Sequence, residues 1–191
     1  MRTLLLSVLL LTLSHLTATA QWVSRHNLTA AQYQTEFTKW TGQGYRLTHV
    51  SGYSAAGQDR YAAIFEKKLG PTWAAKHGLT GAQYQTEFNS LTSQGYRPVI
   101  VSGFPSGSQA KYACIFVKEN NAPQWAAKHG MTAAQYQTEF NKWTGQGYRL
   151  IDISGYTVGG TDYYAAIWEK SSGPAWSAKH GLSAAQYQTE F

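Results

Sequence analysis

Histidine, serine, glutamate and arginine recur along this 191-residue sequence at regular spacing, and each type could carry chemistry. His26, His77 and His129 each stand four residues after a tryptophan, as does His180. Imidazole is the commonest metal ligand. Yet each of these histidines stands alone, with no second ligand at i+3 to i+5 and no cysteine beside it, so zinc-type spacing is absent. Only a closed ring of repeats would gather His26, His77 and His129; hydrogen-bonded structural histidines are expected, with no metal and no cofactor. Ser108 and Lys111 match a Ser-x-x-Lys element, which needs to open a helix, but here it falls in a hairpin loop and its companion motifs are missing. It is read as a chance match. Ser51, Ser102 and Ser154 each precede a glycine within a strand pattern, and no Gly-x-Ser-x-Gly elbow occurs.

Glu36, Glu87, Glu139 and Glu190 recur once per copy beside an apolar helix stripe. Glycoside hydrolysis needs two carboxylates in unlike environments, which equivalent repeats do not offer. Pairing with a nearby base such as Lys39 or Lys142, three residues on, is expected instead. Arg46, Arg97 and Arg149, each after Gly-Tyr or its equivalent, are the recurring candidates for ligand contact. A planar cation beside aromatic rings suits acidic groups or sugar faces, with capping of carbonyls as the structural alternative. Asn27-Leu28-Thr29 is a glycosylation sequon, usable if the source is eukaryotic.

The elements that must position these residues follow from an internal repeat. Trp22, Trp73, Trp125 and Trp176 open four copies at steps of 51, 52 and 51 residues, and after each histidine comes a near-identical run: LTAAQYQTEF, LTGAQYQTEF, MTAAQYQTEF and LSAAQYQTEF. The copies are assigned to residues 21–71, 72–123, 124–174 and a partial fourth at 175–191. A unit of about 51 residues is marginal alone, so stacking on its neighbours should supply much of the core.

Each unit reads as one helix followed by a β-hairpin, an α+β class. Thr29 and Gln32 form a capping box, with Leu28 and Tyr33 placed as a hydrophobic staple. Tyr33, Phe37 and Trp40 make one apolar stripe. Gly44 fits the left-handed residue that ends a helix, with Tyr45 folding back on Trp40. Strands are predicted over 45–53, 96–104 and 148–156, returning over 61–67, 112–118 and 164–170 after glycine-containing loops. Pro71, Pro123 and Pro174 turn the chain toward the next tryptophan. The varied hairpin tips, 54–60, 105–111 and 157–163, are where specificity would reside.

Residues 1–20 read as a secretory leader: Arg2, an aliphatic run over 4–13, then Ala18-Thr19-Ala20, with cleavage before Gln21. That run is short for a membrane span of about 20 residues, and no later segment approaches one. A secreted protein is expected. Cys114 is the sole cysteine, so no disulfide forms within the chain, and it occupies the position of Ala63 and Ala166, as a small buried side chain would. The formal net charge of +6 favours acidic partners; secretion argues against nucleic acid.

The signature Trp-x-x-x-His, Leu-Thr-x-x-Gln-Tyr-Gln-x-x-Phe, Gly-Tyr-Arg and Ser-Gly-Tyr resembles the bacterial tandem repeat domain family. Its repeats also occur in the N-terminal region of fungal polyglycine hydrolases, ahead of a serine hydrolase domain of β-lactamase type. The resemblance runs from Trp22 to Phe191 and implies a repeat module that accompanies an enzyme; the hydrolase portion itself is absent here. Because the fourth helix stops at Phe191, half-way along its siblings, a fragment of a longer protein is expected, with a closing half-repeat as the alternative. The leading functional expectation is a secreted non-catalytic module that binds or positions an extracellular ligand, acidic or carbohydrate. The alternatives are the accessory region of a truncated serine hydrolase and a lectin-like binder of cell-wall carbohydrate.

Overall fold

The computed structural model describes residues 21–190; the expected leader over 1–20 and the terminal Phe191 lie outside the described residues. The first copy runs β1 (Trp22–Leu28), α1 (Ala30–Gly42), β2 (Arg46–Ala55) and β3 (Gln58–Glu66). The second runs β4 (Thr72–Thr80), α2 (Gly81–Ser93), β5 (Arg97–Ser106) and β6 (Gln109–Lys118). The third runs β7 (Trp125–Thr132), α3 (Ala133–Gly145), β8 (Arg149–Val158) and β9 (Thr161–Glu169), and the partial fourth contributes α4 (Ala184–Glu190). The tandem α+β architecture is as read from the sequence, three complete units and a truncated fourth.

Each complete unit gains a strand beyond the expected helix and hairpin. The Trp-x-x-x-His segment is itself a strand, so the unit is β-α-β-β, and its sheet is antiparallel with the last strand in the middle: β1-β3-β2, β4-β6-β5 and β7-β9-β8. In β4 and β7, pairing with that middle strand overrides the weak strand propensity of a segment rich in alanine, lysine and glycine. A register shift falls between Arg25 and Leu28, and at the matching places in β4 and β7. The residue there is left-handed: Asn27 at φ 57°, Gly78 at 66° and Gly130 at 64°. A bulge in that conformation explains why the position holds only asparagine or glycine.

The helices begin and end as their sequences dictate. Thr29, Thr80 and Thr132 each close a full capping box with the glutamine three residues on. At the far end Gly44 is left-handed at φ 81°, Tyr45 N–H donates to the Trp40 carbonyl at 3.0 Å and Gly44 N–H to Thr41 at 3.0 Å. That is the Schellman pattern, and the Tyr45 ring meets Trp40 edge-on at 5.1 Å. The hairpins are longer than predicted, because the strands run on to two-residue turns at Ala56-Gly57, Gly107-Ser108 and Gly159-Gly160. The tips expected to be loops are therefore mostly strand.

The three sheets stack face to face in chain order. Side chains alternate along a strand, so Tyr61, Ala63 and Phe65 of β3 point one way and Ala62 and Ile64 the other. The first core gathers Tyr33, Leu47, Val50, Tyr61, Ala63 and Phe65 against Phe104, Ala113 and Ile115 of the second repeat. The second core repeats the arrangement, with Tyr84, Val101, Tyr112, Cys114 and Phe116 against Tyr156, Ala165 and Ile167 of the third. Each repeat thus completes the core of the one before it, as a unit too small to fold alone requires.

Candidate functional site

The residues that recur with chemical potential lie at the joints between repeats. At the first joint Gly52 N–H donates to Ser102 Oγ at 3.0 Å, and the Phe104 ring lies where a Cβ on Gly52 would stand, 2.3 Å away. At the second, Gly103 N–H donates to Ser154 Oγ at 3.0 Å, that hydroxyl donates to the Gly103 carbonyl at 3.1 Å, and Tyr156 covers Gly103 in the same way. The Ser-Gly-aromatic element is therefore a clamp: serine and aromatic ring of one repeat grip the glycine of the repeat before. A glycine inside a strand marks such a close approach. In the second clamp Tyr156 and Tyr112 share a hydrogen bond at 2.6 Å. In the first, Phe104 stands in place of that tyrosine, and the buried Tyr61 hydroxyl has no partner.

The Trp-x-x-x-His element is a second fastening. His77 is wedged against Tyr33 and Tyr61, ring centroids 4.5 and 5.2 Å away; His129 meets Tyr84 and Tyr112 at 4.7 and 5.1 Å, and His180 meets Tyr136 and Tyr164 at 4.7 and 5.2 Å. Trp73, Trp125 and Trp176 pack edge-on against Phe37, Phe88 and Phe140. Burial pushes the His77 and His129 imidazoles below the ordinary histidine range, with backbone hydrogen bonds at Ala30 and Gly81 pulling the other way. His26, with no repeat before it, is exposed. Among the described residues no group of three or more His, Cys, Asp or Glu side chains could hold a metal.

The three arginines have different surroundings. Arg97 is buried, its Nε and Nη2 donating to Glu119 at 2.9 and 2.7 Å, and its Nη1 bonded to Glu169 of the next repeat. Arg46 and Arg149 instead lie over the indoles of Trp73 and Trp176, at 5.8 and 5.5 Å. Neither has an acidic partner among the described residues. Partial burial lowers the Arg46 pKa from its ordinary value. The signals for the difference were Glu119, which stands where the other copies have Lys68 and Ser171, and Glu169, where the second copy has Val117. A single guanidinium reaching both could not be read from spacing.

The remaining candidates are placed as follows. Glu36 accepts from the Trp40 indole at 2.7 Å and from Arg25 at 2.9 Å, and these bonds hold its carboxyl below the usual range, the indole first. Lys39, the expected partner, lies over the Trp40 ring at 4.8 Å instead, while Lys142 does reach Glu139, at 3.7 Å. Ser108 is in a hairpin turn and Lys111 in β6, paired with Asp59 of the first repeat at 2.8 Å. Cys114 is buried, and burial raises its thiol to about 12, an inert side chain. Asn27 is exposed on the β1 bulge, its backbone N–H donating to Tyr53 Oη at 3.1 Å.

In the first repeat the same elements have no neighbouring repeat to grip on that side among the described residues. Trp22 is 65% exposed, Ser51 is exposed, and among the described residues its Oγ has no hydrogen-bond partner. Ser24, Arg25, His26, His49, Ser51, Ala62 and Ile64 line a groove of about 200 Å³ there. No helix among the described residues is long and apolar enough to cross a membrane.

The repeat described by these joints is that of a known family. Residues 19–68, 70–119, 122–171 and 173–191 match the model of a family described as polyglycine hydrolase-like, structural repeat. With its four matches spread along nearly the whole sequence, the chain belongs to the family of polyglycine hydrolase-like structural repeats.

Proposed function

We propose that the chain is a secreted, non-catalytic repeat module that binds acidic groups of an extracellular ligand, an acidic carbohydrate above all, at Arg46 and Arg149. The observation that carries this reading is the pair of guanidinium groups, each on an indole and neither in an ion pair among the described residues. A half-buried cation lacking an anion gains from one supplied by a ligand, and its planar fork takes a carboxylate or sulfate in bidentate fashion. The indole beneath holds the fork in place. Ser102, Ser154, His77, His129 and His180 are engaged in fastening repeats, which supports a scaffold over a catalyst. The leader-like residues 1–20 support secretion.

Calorimetric titration of the mature chain with an oligogalacturonate and with a neutral chito-oligosaccharide tests the reading. Binding of the acidic sugar is expected, weakened about tenfold or more by Arg46→Gln with Arg149→Gln, and unaffected by Lys68→Gln, a surface charge change of the same kind. Equal binding by wild type and the double arginine variant would contradict it.

A second reading is favoured by the family description itself: the repeats serve as the accessory region of a hydrolase, and the acid-binding surface positions that enzyme on its substrate. Hydrolysis by the repeats alone, abolished by Ser108→Ala, would contradict both readings.

A further inference from the structure

Gly70 and Gly173 each stand just before the proline that turns the chain toward the next tryptophan; the second repeat has Ala122 there. A Cβ built on Gly70 would fall 3.0 Å from Arg46 Cζ and 3.2 and 3.3 Å from its Nε and Nη1. On Gly173 it would fall 3.2 Å from Arg149 Cζ and 3.4 Å from both Nε and Nη2. The central carbon is the nearest atom in both, so the missing methyl group would press into the flat face of the fork and not its edge. Neither glycine has a positive φ, so the backbone does not call for glycine at either place. The close approach of the guanidinium does.

The repeat with alanine is the one whose arginine lies elsewhere. Arg97 is held by Glu119 and Glu169. Trp125 carries no arginine among the described residues, although it packs on Phe88 as Trp73 and Trp176 pack on Phe37 and Phe140. Arg46, in a complete repeat that is followed by another complete repeat, keeps to Trp73 at 5.8 Å, and Arg149 holds the same geometry on Trp176 at 5.5 Å.

We infer that Gly70 and Gly173 are the positioning residues of the arginine sites, and that they restrict those sites to anionic groups entering edge-on, in the plane of the fork; this rests on the proposed binding of acidic groups at Arg46 and Arg149. With glycine backbone against the fork and an indole ring under it, its flat face is occupied by the protein itself. The N–H groups point outward in the plane. An anionic oxygen arriving there accepts from two of them at once, as Glu119 Oε2 accepts from Nε and Nη2 of Arg97 at 2.9 and 2.7 Å. Charge makes such bonds about twice as strong as neutral ones. The slot therefore selects a carboxylate or sulfate over a neutral group on the same sugar ring. An alanine at either glycine would push the fork off its indole and turn that edge away.

Proton–nitrogen spectra of the arginine Nε–Hε groups, together with calorimetric titration by oligogalacturonate and by its methyl ester, test this. In wild type the Arg46 and Arg149 Hε resonances are expected upfield of the ordinary arginine position, shifted by the indole ring currents. Gly70→Ala with Gly173→Ala is expected to move both toward the ordinary position and to weaken oligogalacturonate binding about tenfold. The urea midpoint should hold, since alanine already stands at this place in the second repeat. The methyl ester is expected to bind wild type about tenfold more weakly than the acid. Resonances unmoved by the glycine variants overturn the positioning role. So does binding that they leave intact while Arg46→Gln with Arg149→Gln removes it; acid binding at the arginines then stands without the glycines. Equal binding of the ester overturns the edge-on selection. A wild type that binds neither sugar overturns acid binding at the arginines, and the role of the glycines with it.

Discussion

Residue identity within the clamps decides how well each joint is satisfied, and the aromatic rings of the two clamps, Phe104 and Tyr156, differ by one oxygen. Tyr112 and Tyr156 share a buried hydrogen bond across the second joint. Tyr61 and Phe104 have nearly the same geometry, centroids 5.6 Å apart and rings at 85°, against 5.9 Å and 88°, but no oxygen meets the Tyr61 hydroxyl. A buried hydroxyl without a partner costs about 1–3 kcal/mol, and a made bond contributes about 1 kcal/mol. Phe104→Tyr is therefore expected to stabilise the fold by about 1 kcal/mol, and Tyr156→Phe to destabilise it by about the same. Urea denaturation midpoints check both, and a destabilising Phe104→Tyr would show that the first joint has no room for the added oxygen. The serine before each glycine was visible in the sequence; its bond to a glycine of another repeat was not, because that pairing spans about fifty residues and depends on which sheet faces meet.

At the scale of elements, legibility followed locality. The capping boxes and glycine stops were readable because every partner lies within six residues, and they formed as read. The strands β4 and β7 were not, since alanine, lysine and glycine give a weak signal, nor was β1, whose short polar run shows no clean alternation; pairing to the middle strand makes all three extended. Strand ends were also misplaced at the turns, where Gly57, Gly107 and the Gly159-Gly160 pair allow two-residue reversals that keep the strands paired to their tips. These first strands carry the wedged histidines, which gives the joints a pH dependence. Burial holds His77 and His129 neutral in the fold, below the ordinary 6.5. Above pH 6.5 neither state is protonated and the joints are at full strength. As pH falls through 6.5 the unfolded chain takes up protons first, and stability declines until the folded values are passed. Unfolding free energy measured between pH 8 and 5 should fall with pH. The slope should flatten in the double variant His77→Gln and His129→Gln, which leaves Asp152, shifted upward by burial, in place. An unchanged slope would mean that the histidines do not titrate against the joints.

For the whole molecule, the account turns on a division of labour. Most recurring polar residues fasten repeats, and the same residue types are exposed in the first repeat, which has no neighbour on that side among the described residues. Arg46 and Arg149 escape that role: Glu66 and Glu169 stand opposite them across the strand pair but form no ion pair with them, whereas Arg97 is fixed between Glu119 and Glu169. That split was illegible in the sequence: three arginines in equivalent places look alike until the neighbouring repeats are docked. Of the seven tryptophans, Trp168 is fully buried, Trp73, Trp125 and Trp176 pack against the preceding helix, and Trp22 is exposed at the free face.

The most direct measurement is carbethoxylation of the native chain, followed by mass spectrometry, with the modification rate of each histidine read separately. The account predicts rapid modification of His26, on the open face, and slow modification of His77 and His129, wedged between tyrosines, with the difference lost in denaturant. Modification of His77 and His129 as fast as His26 in the native chain would contradict it, because the Trp-x-x-x-His element would then not be the fastening between repeats.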